Sequence, residues 1–143
     1  MHALCELTVR YGALAGRILI APLFLLSGFH KITGFSGVAA AMAAKGMPFA
    51  EILLVGAIVF ELGGGLMVLL GWQARWGALL LFLFTVPATL IFHNFWAVDA
   101  AQYGNQLNHF MKNVAILGAL AYIMAAGPGR YRLGNTGESE RGH

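Results

Sequence analysis

Four long apolar stretches dominate this chain of 143 residues and constrain its fold more than any other feature. They run from about Tyr11 to Ile32, Phe49 to Leu70, Trp76 to Trp96 and Phe110 to Ala126. A helix of about 20 apolar residues, with a range of roughly 17–25, crosses the hydrocarbon core of a bilayer. Because lipid offers the backbone no hydrogen-bond partners, each stretch is expected to be helical. The sequence therefore predicts an all-α fold, a membrane four-helix bundle whose main partner is the lipid bilayer.

The composition agrees with a membrane protein and excludes several other classes. The chain is 59% hydrophobic and only 10% charged, with a mean hydropathy of +0.72, whereas soluble domains are about 25% charged. Its one cysteine, Cys5, excludes an internal disulfide, a CxxC redox pair and a cysteine zinc site. The net charge of +3 comes from single basic residues at the ends of apolar stretches. Since no basic stripe or aromatic-basic patch occurs, no nucleic-acid partner is expected.

The connections divide the chain into a four-span domain, residues 1–133, and a polar tail, residues 134–143, which we expect to be disordered. The connection between the first two stretches contains an alanine-rich segment, 38–45, which predicts a short interfacial helix. The polar segment 97–108 predicts a loop before the fourth helix. Gly127, Pro128 and Gly129 should end that helix, because proline cannot continue it and glycine frees the backbone.

The distribution of basic residues predicts the orientation in the membrane. Six basic residues lie on the side of the two termini and the second connection: Arg10, Arg17, Arg75, Arg130, Arg132 and Arg141. Three lie on the other side: Lys31, Lys45 and Lys112. This bias predicts cytoplasmic termini.

A cleaved signal peptide is an alternative for the first stretch, but the apolar run continues to Ile32 before any cleavage site, which favours a retained helix.

Polar side chains interrupt the stretches where the first and third end and the fourth begins. They are His30, Lys31, His93, Asn94, His109, Lys112 and Asn113. Such groups are costly in lipid and persist mainly by facing the protein interior or by doing chemistry. We therefore expect a pocket here for a quinone carbonyl or a small polar substrate. The alternatives are a heme held by two histidines, a metal, or histidines that simply meet the headgroups, but no HxxxH or HxxE spacing supports a metal site.

A carboxylate lies near the middle of the second stretch. Glu61 shares a helix face with Gly64 and Gly65, and small residues let a neighbouring helix approach closely. Glu61 should therefore point into a helix contact, and Arg17 is the cation expected to pair with it. This interpretation makes Arg17 and Glu61 a structural ion pair. The alternative is that Glu61 carries protons or contacts a ligand.

Several motifs are similar to those of a known family. Leu-Leu-Ser-Gly-Phe-His-Lys-Ile at 25–32, Glu-Leu-Gly-Gly-Gly-Leu at 61–66, Phe-His-Asn-Phe-Trp at 92–96, Phe-Met-Lys-Asn at 110–113 and Gly-Pro-Gly at 127–129 resemble the DoxX family. The resemblance covers about Gly16 to Tyr131. It implies a small four-helix protein of the bacterial inner membrane. The namesake relatives are the membrane subunit of an archaeal thiosulfate:quinone oxidoreductase, and others are linked to redox-stress complexes or peptide-modification clusters.

The resemblance and the polar pocket together predict a membrane subunit of a quinone-linked redox system. Quinone is the candidate ligand, and no flavin, heme or iron–sulfur motif is present, so a soluble redox partner would supply electrons. Two alternatives stay open: a non-enzymatic scaffold or assembly factor that anchors a soluble partner, and a small transporter, which would need a homo-oligomer to enclose a path. The sequence contains no complete catalytic set and leaves open whether the chain is an enzyme.

Overall fold

The computed structural model describes residues 2–134, with side chains from residue 5 onward. Its elements are α1 (His2–Thr33), α2 (Phe35–Ala44), α3 (Ala50–Leu70), α4 (Ala74–Phe92), a single 3₁₀ turn (Phe95–Ala97) and α5 (Ala100–Ala126). No strand occurs within the described residues. The helices α1, α3, α4 and α5 are each long and apolar enough to cross a membrane. The predicted all-α fold with four spans is confirmed.

The fourth spanning helix begins about ten residues earlier than the sequence suggested. The predicted loop over 97–108 is wrong, because residues 100–108 form the first turns of α5. Asp99 is the cause, since its Oδ1 accepts a hydrogen bond from the Gln102 backbone N–H at 3.0 Å and caps the helix. At the other end, Gly127 ends α5 as predicted, with a φ of 79°. The predicted tail lies outside the described residues apart from Gly134.

The predicted short helix after the first span is present as α2. It follows α1 after a break at Gly34, whose N–H still bonds to the His30 carbonyl at 2.9 Å. Ala39 and Met42 of α2 are buried against Leu54 near the start of α3. The helix α2 therefore covers the first half of α3, beyond the point where α1 ends.

The spanning helices pack in sequence, α1 on α3, α3 on α4 and α4 on α5. The half of the bundle nearer the two termini has a tight core, and we call it the packed half. Its buried apolar residues are Ala21, Phe24, Val68, Ala74, Ala78, Leu81, Leu120 and Ile123. A Cβ added to Gly64 of α3 would lie 2.9 Å from the backbone oxygen of Gly77 in α4. The absence of side chains at these two positions lets the helices approach this closely.

Candidate functional site

The other half of the bundle contains a cavity of about 1120 Å³, and we call it the cavity half. All five helices contribute to its walls, which are mostly apolar. Four lining residues are also widely exposed on the outer surface of the bundle: Leu23, Leu26, Ile52 and Leu53, at 47%, 59%, 70% and 44%. They belong to membrane-spanning helices, so the cavity opens sideways, towards the hydrocarbon of the bilayer. A molecule dissolved in the membrane has access through this side.

An ion pair lies in the cavity wall. Lys31 Nζ is 2.9 Å from Glu61 Oε2 and 3.1 Å from Oε1, and it also donates to Ser27 Oγ at 2.7 Å. The Glu61 side chain is 3% exposed and that of Lys31 is 22% exposed. Glu61 is eleven residues after the start of α3 and nine before its end, or about 16 and 14 Å at 1.5 Å per residue. The pair is thus near the middle of the span.

The Glu61 carboxylate keeps unused hydrogen-bonding capacity. Lys31 Nζ lies within hydrogen-bond distance of both oxygens, and no second donor from the described residues reaches either of them. An ionised carboxylate has about four acceptor sites, so some of them remain open. Since Glu61 also lines the cavity, a donor group on a bound molecule is well placed to satisfy them.

The predicted ion pair of Arg17 and Glu61 is wrong. Arg17 lies fourteen residues before Lys31 on α1, about 21 Å along the helix axis. Its guanidinium contacts Gly71, at the other end of α3, and donates through Nη2 to the backbone oxygen of Tyr131. The α1–α3 register in fact brings Lys31, not Arg17, beside Glu61.

A chain of hydroxyl and amide groups follows α4 along the cavity. Thr85 Oγ1 donates to the Leu81 carbonyl at 2.7 Å, and Thr89 Oγ1 donates to the Thr85 carbonyl at 2.6 Å. Asn113 Nδ2 from α5 donates to Thr89 Oγ1 at 2.9 Å. Thr85 and Asn113 line the cavity. These bonds link α4 to α5 and present polar groups to the cavity.

Two of the three histidines of the predicted polar layer meet at the end of the cavity half. The rings of His93 and His109 are stacked, with centroids 5.1 Å apart and planes 14° from parallel. His93 Nδ1 is 3.0 Å from Gln106 Oε1. Because the two rings present their faces to each other, they leave no room for a macrocycle between them. This arrangement does not fit a heme ligated by this pair.

The structure brings only part of the predicted polar layer to the cavity. His30, Lys31, His93 and Asn113 line it. Asn94, His109 and Lys112 do not, and Lys112 is exposed. His30 is exposed beside Phe29 and makes no ring contact with the other histidines within the described residues. In that same part of the chain, no group of three His, Cys, Asp or Glu side chains is arranged for a metal.

The sequence interpretation did not assign Thr85 to the pocket and considered a ligand contact of Glu61 only as an alternative. Ser27 precedes Lys31 by four residues and shares its helix face, so it belongs to the predicted polar layer. Glu61 was recognised as buried but given the wrong partner. Thr85 carried no signal of its own, since a threonine inside an apolar helix usually bonds to its own backbone, as Thr85 also does.

The chain is similar to known membrane proteins. A profile of the DoxX family matches residues 12–94. The inner membrane protein YqjF of Escherichia coli K12 is 38% identical over 122 residues, which is 85% of this chain and 88% of YqjF. The inner membrane protein YphA of the same organism is 32% identical over 120 residues, 84% of this chain and 86% of YphA. The chain belongs to the DoxX family.

The residue range that matches the DoxX profile includes residues of the candidate site. The DoxX profile spans the membrane-crossing part of α1 and runs to the end of α4, so it includes Lys31, Glu61 and His93. Asn113 on α5 lies beyond the profile range. The relatives and the four apolar helices support a multi-pass protein of the inner membrane. No solved structure matches the chain.

Proposed function

We propose that this DoxX protein is a membrane subunit of a quinone-linked redox system, and that the cavity binds the quinone. The observation that carries the proposal is the cavity of about 1120 Å³ with a lipid-facing opening and the Lys31–Glu61 pair in its wall. Ligand pockets of roughly 300–1,000 Å³ with apolar walls and a few convergent polar groups are typical of small-molecule sites. A quinone is the lipid-soluble molecule whose chemistry matches these walls.

Both redox forms of a quinone find partners on the cavity wall. The oxidised ring has two carbonyl acceptors, which the ammonium of Lys31 and the amide of Asn113 are placed to approach. The reduced ring has two hydroxyl donors, and the buried Glu61 carboxylate keeps open acceptor sites beside Lys31. Proton transfer to or from a bound group needs a side chain within hydrogen-bond reach. The Lys31–Glu61 pair is the candidate for this role.

The electrons come, in this proposal, from a soluble redox partner that docks on the membrane surface. The chain has one cysteine and no flavin, heme or iron–sulfur motif. The proposed orientation has both termini in the cytoplasm, which places the cavity half nearer the periplasm. A reporter fused after His143 tests this orientation, since periplasmic activity of the fusion would reverse it.

The binding experiment uses the full chain purified in mild detergent. Bound lipids are extracted and identified by mass spectrometry, and a photoreactive azidoquinone is then crosslinked and located by peptide mapping. We expect co-purified quinone and labels in the segments 23–31 and 84–93, which line the cavity. The variant Lys31→Met/Glu61→Gln removes both charges together, so it should fold while losing about tenfold or more in quinone affinity, because one hydrogen bond to a charged group contributes about 1.5 kcal/mol or more.

The matched control is Lys112→Met, which removes the same kind of charge from an exposed position outside the cavity. It should bind quinone as the parent protein does. Equal binding by the parent, the cavity variant and the control would contradict the quinone site. A protein that carries no quinone and takes no label, but still retains a soluble partner on the membrane, would favour the scaffold alternative.

A further inference from the structure

A second pocket, of about 450 Å³, lies at the end of the packed half, far from the cavity. It is bounded by the start of α4 and by the turn that follows α5. Arg75, Arg130 and Arg132 line it together with Ala126, Pro128 and Gly129. No acidic residue lines it within the described part of the chain. The pocket is therefore a concentration of positive charge, and it is unrelated to the proposed quinone site.

The turn that carries two of these arginines is held in place. A Cβ at Gly129 would lie 2.6 Å from the Ala13 side chain, so the turn is in close contact with α1. The Leu133 N–H bonds to the Leu70 carbonyl at 3.0 Å, and the Tyr131 carbonyl accepts from Arg17. Because these contacts fix the backbone on both sides of Arg130 and Arg132, the side chains start from defined positions around the pocket.

Two of the arginines in this pocket have no counter-charge among the described residues. Neither Arg130 nor Arg132 forms an ion pair within residues 5–134. Arg75 donates to the Ala125 carbonyl at 3.4 Å, near the end of α5. Arg17 is next to this region and is 1% exposed, and its buried Nε and Nη1 atoms have no hydrogen-bond partner among the described residues. A buried guanidinium without a counter-charge is costly, and a nearby anion lowers that cost.

The position of the pocket across the bilayer indicates the source of such an anion. Trp72 and Trp76, which flank Arg75, are 53% and 63% exposed. Exposed tryptophans at the ends of spanning helices mark the headgroup level of a bilayer. The pocket therefore lies where the phosphates of phospholipids are found, and basic pockets between spanning helices bind anionic headgroups. Guanidinium groups suit phosphate because they donate two parallel hydrogen bonds.

We propose that this pocket binds the phosphate of an anionic phospholipid, held by Arg130 and Arg132 with Arg75 at the opposite wall. One lipid is expected to bind here in preference to the surrounding bulk lipid. A zwitterionic lipid carries its own ammonium group, which competes with the arginines, so it should bind more weakly. The bound lipid would link the turn after α5 to the start of α4.

Native mass spectrometry of the full chain in detergent tests the proposal. The protein is titrated with dioleoylphosphatidylglycerol and, separately, with dioleoylphosphatidylcholine. We expect one molecule of phosphatidylglycerol to bind preferentially. Each arginine near an anionic surface contributes about a fivefold preference, so Arg132→Gln should lose about fivefold and Arg130→Gln/Arg132→Gln about 25-fold. Arg132→Lys keeps the charge and should retain most of the preference.

The control is Lys112→Gln, which removes one positive charge from an exposed position at the other end of the bundle, outside the pocket lining. It should keep the full preference for phosphatidylglycerol. Equal affinity for the two lipids, or equal losses in Arg132→Gln and Lys112→Gln, would overturn the site. Inorganic phosphate and glycerol 3-phosphate are added as competitors. Displacement of the lipid by either one at equal concentration would overturn the lipid assignment in favour of a soluble phosphate group.

Discussion

The two halves of the bundle use the same helices in different ways. In the packed half, α3 and α4 are in near-backbone contact at Gly64 and Gly77, and the core around Val68 and Leu81 is fully buried. In the cavity half, the five helices leave about 1120 Å³ between them. Lipid gives no hydrophobic drive for helix association, so close packing and polar bonds must hold the bundle. Stability is therefore expected to come from the packed half, and ligand binding from the cavity half.

The buried charges of the two halves differ in the same way. In the cavity half, Lys31 and Glu61 neutralise each other beside an open space. In the packed half, Arg17 is buried against backbone atoms and has no carboxylate partner among the described residues. A neutral pair suits a site that admits an uncharged lipid-soluble molecule. A surplus of arginines suits the side of the membrane that carries anionic headgroups.

The largest effect should follow from breaking the ion pair of the cavity half. Glu61→Leu leaves Lys31 without its counter-charge, and removing one partner of a buried pair typically costs about 3–5 kcal/mol. The lower end applies, because Lys31 retains 22% of its side-chain exposure. The free energy of unfolding in mixed micelles of dodecyl maltoside and SDS measures the loss.

A double variant and a control make this prediction specific. Lys31→Met/Glu61→Leu should regain most of the lost stability, because no uncompensated charge is left. Glu51→Leu, an exposed position on the same helix, should change stability little. If the double variant were as unstable as Glu61→Leu alone, the unpaired charge of Lys31 would not be the cause of the instability. The difference between the buried charges of the two halves would then not explain stability.

An intermediate effect is expected from filling the close approach in the packed half. In Gly64→Ala the new Cβ would lie 2.8 Å from Leu81 Cγ and 2.9 Å from the Gly77 oxygen. Overpacking of this kind costs about 1–3 kcal/mol. Gly63→Ala is the matched control, since nothing lies within 4 Å of its added Cβ. It should stabilise α3 slightly, by about 0.5–1 kcal/mol, in the same unfolding assay. Equal effects of the two substitutions would show that the helices are not in contact at Gly64.

The sequence predicted the packed half better than the cavity half. The lengths of the apolar stretches predicted the four spanning helices. The glycines beside Glu61 indicated a close helix contact, which Gly64 makes with α4. The partner of Glu61 was not predictable in this way. Whether Arg17 or Lys31 lies beside it depends on how far α1 slides along α3, and this register is set by contacts such as those of Gly28 and Gly65. The volume of the cavity depends on the same three-dimensional arrangement, which a pattern within one helix does not contain.

The smallest effect concerns the surplus of positive charge at the end of the packed half. Arg10 Nε donates to the Tyr131 hydroxyl oxygen at 3.1 Å, and the Tyr11 and Tyr131 rings stack with centroids 5.5 Å apart. The hydrogen bond from Arg10, followed by that from Tyr11, lowers the pKa of Tyr131 below 10.0 by favouring the phenolate. Arg10→Gln should therefore raise this pKa towards 10.0, so that Tyr131 ionises at higher pH than in the parent protein. The shift should be modest and should shrink with added salt, because the pair is exposed.

An NMR titration of protein with ¹³C-labelled tyrosine measures this pKa shift, with Lys112→Gln at the other end of the bundle as the control. A Tyr131 pKa that stayed constant in Arg10→Gln would show that the arginines at this end do not act on the turn after α5.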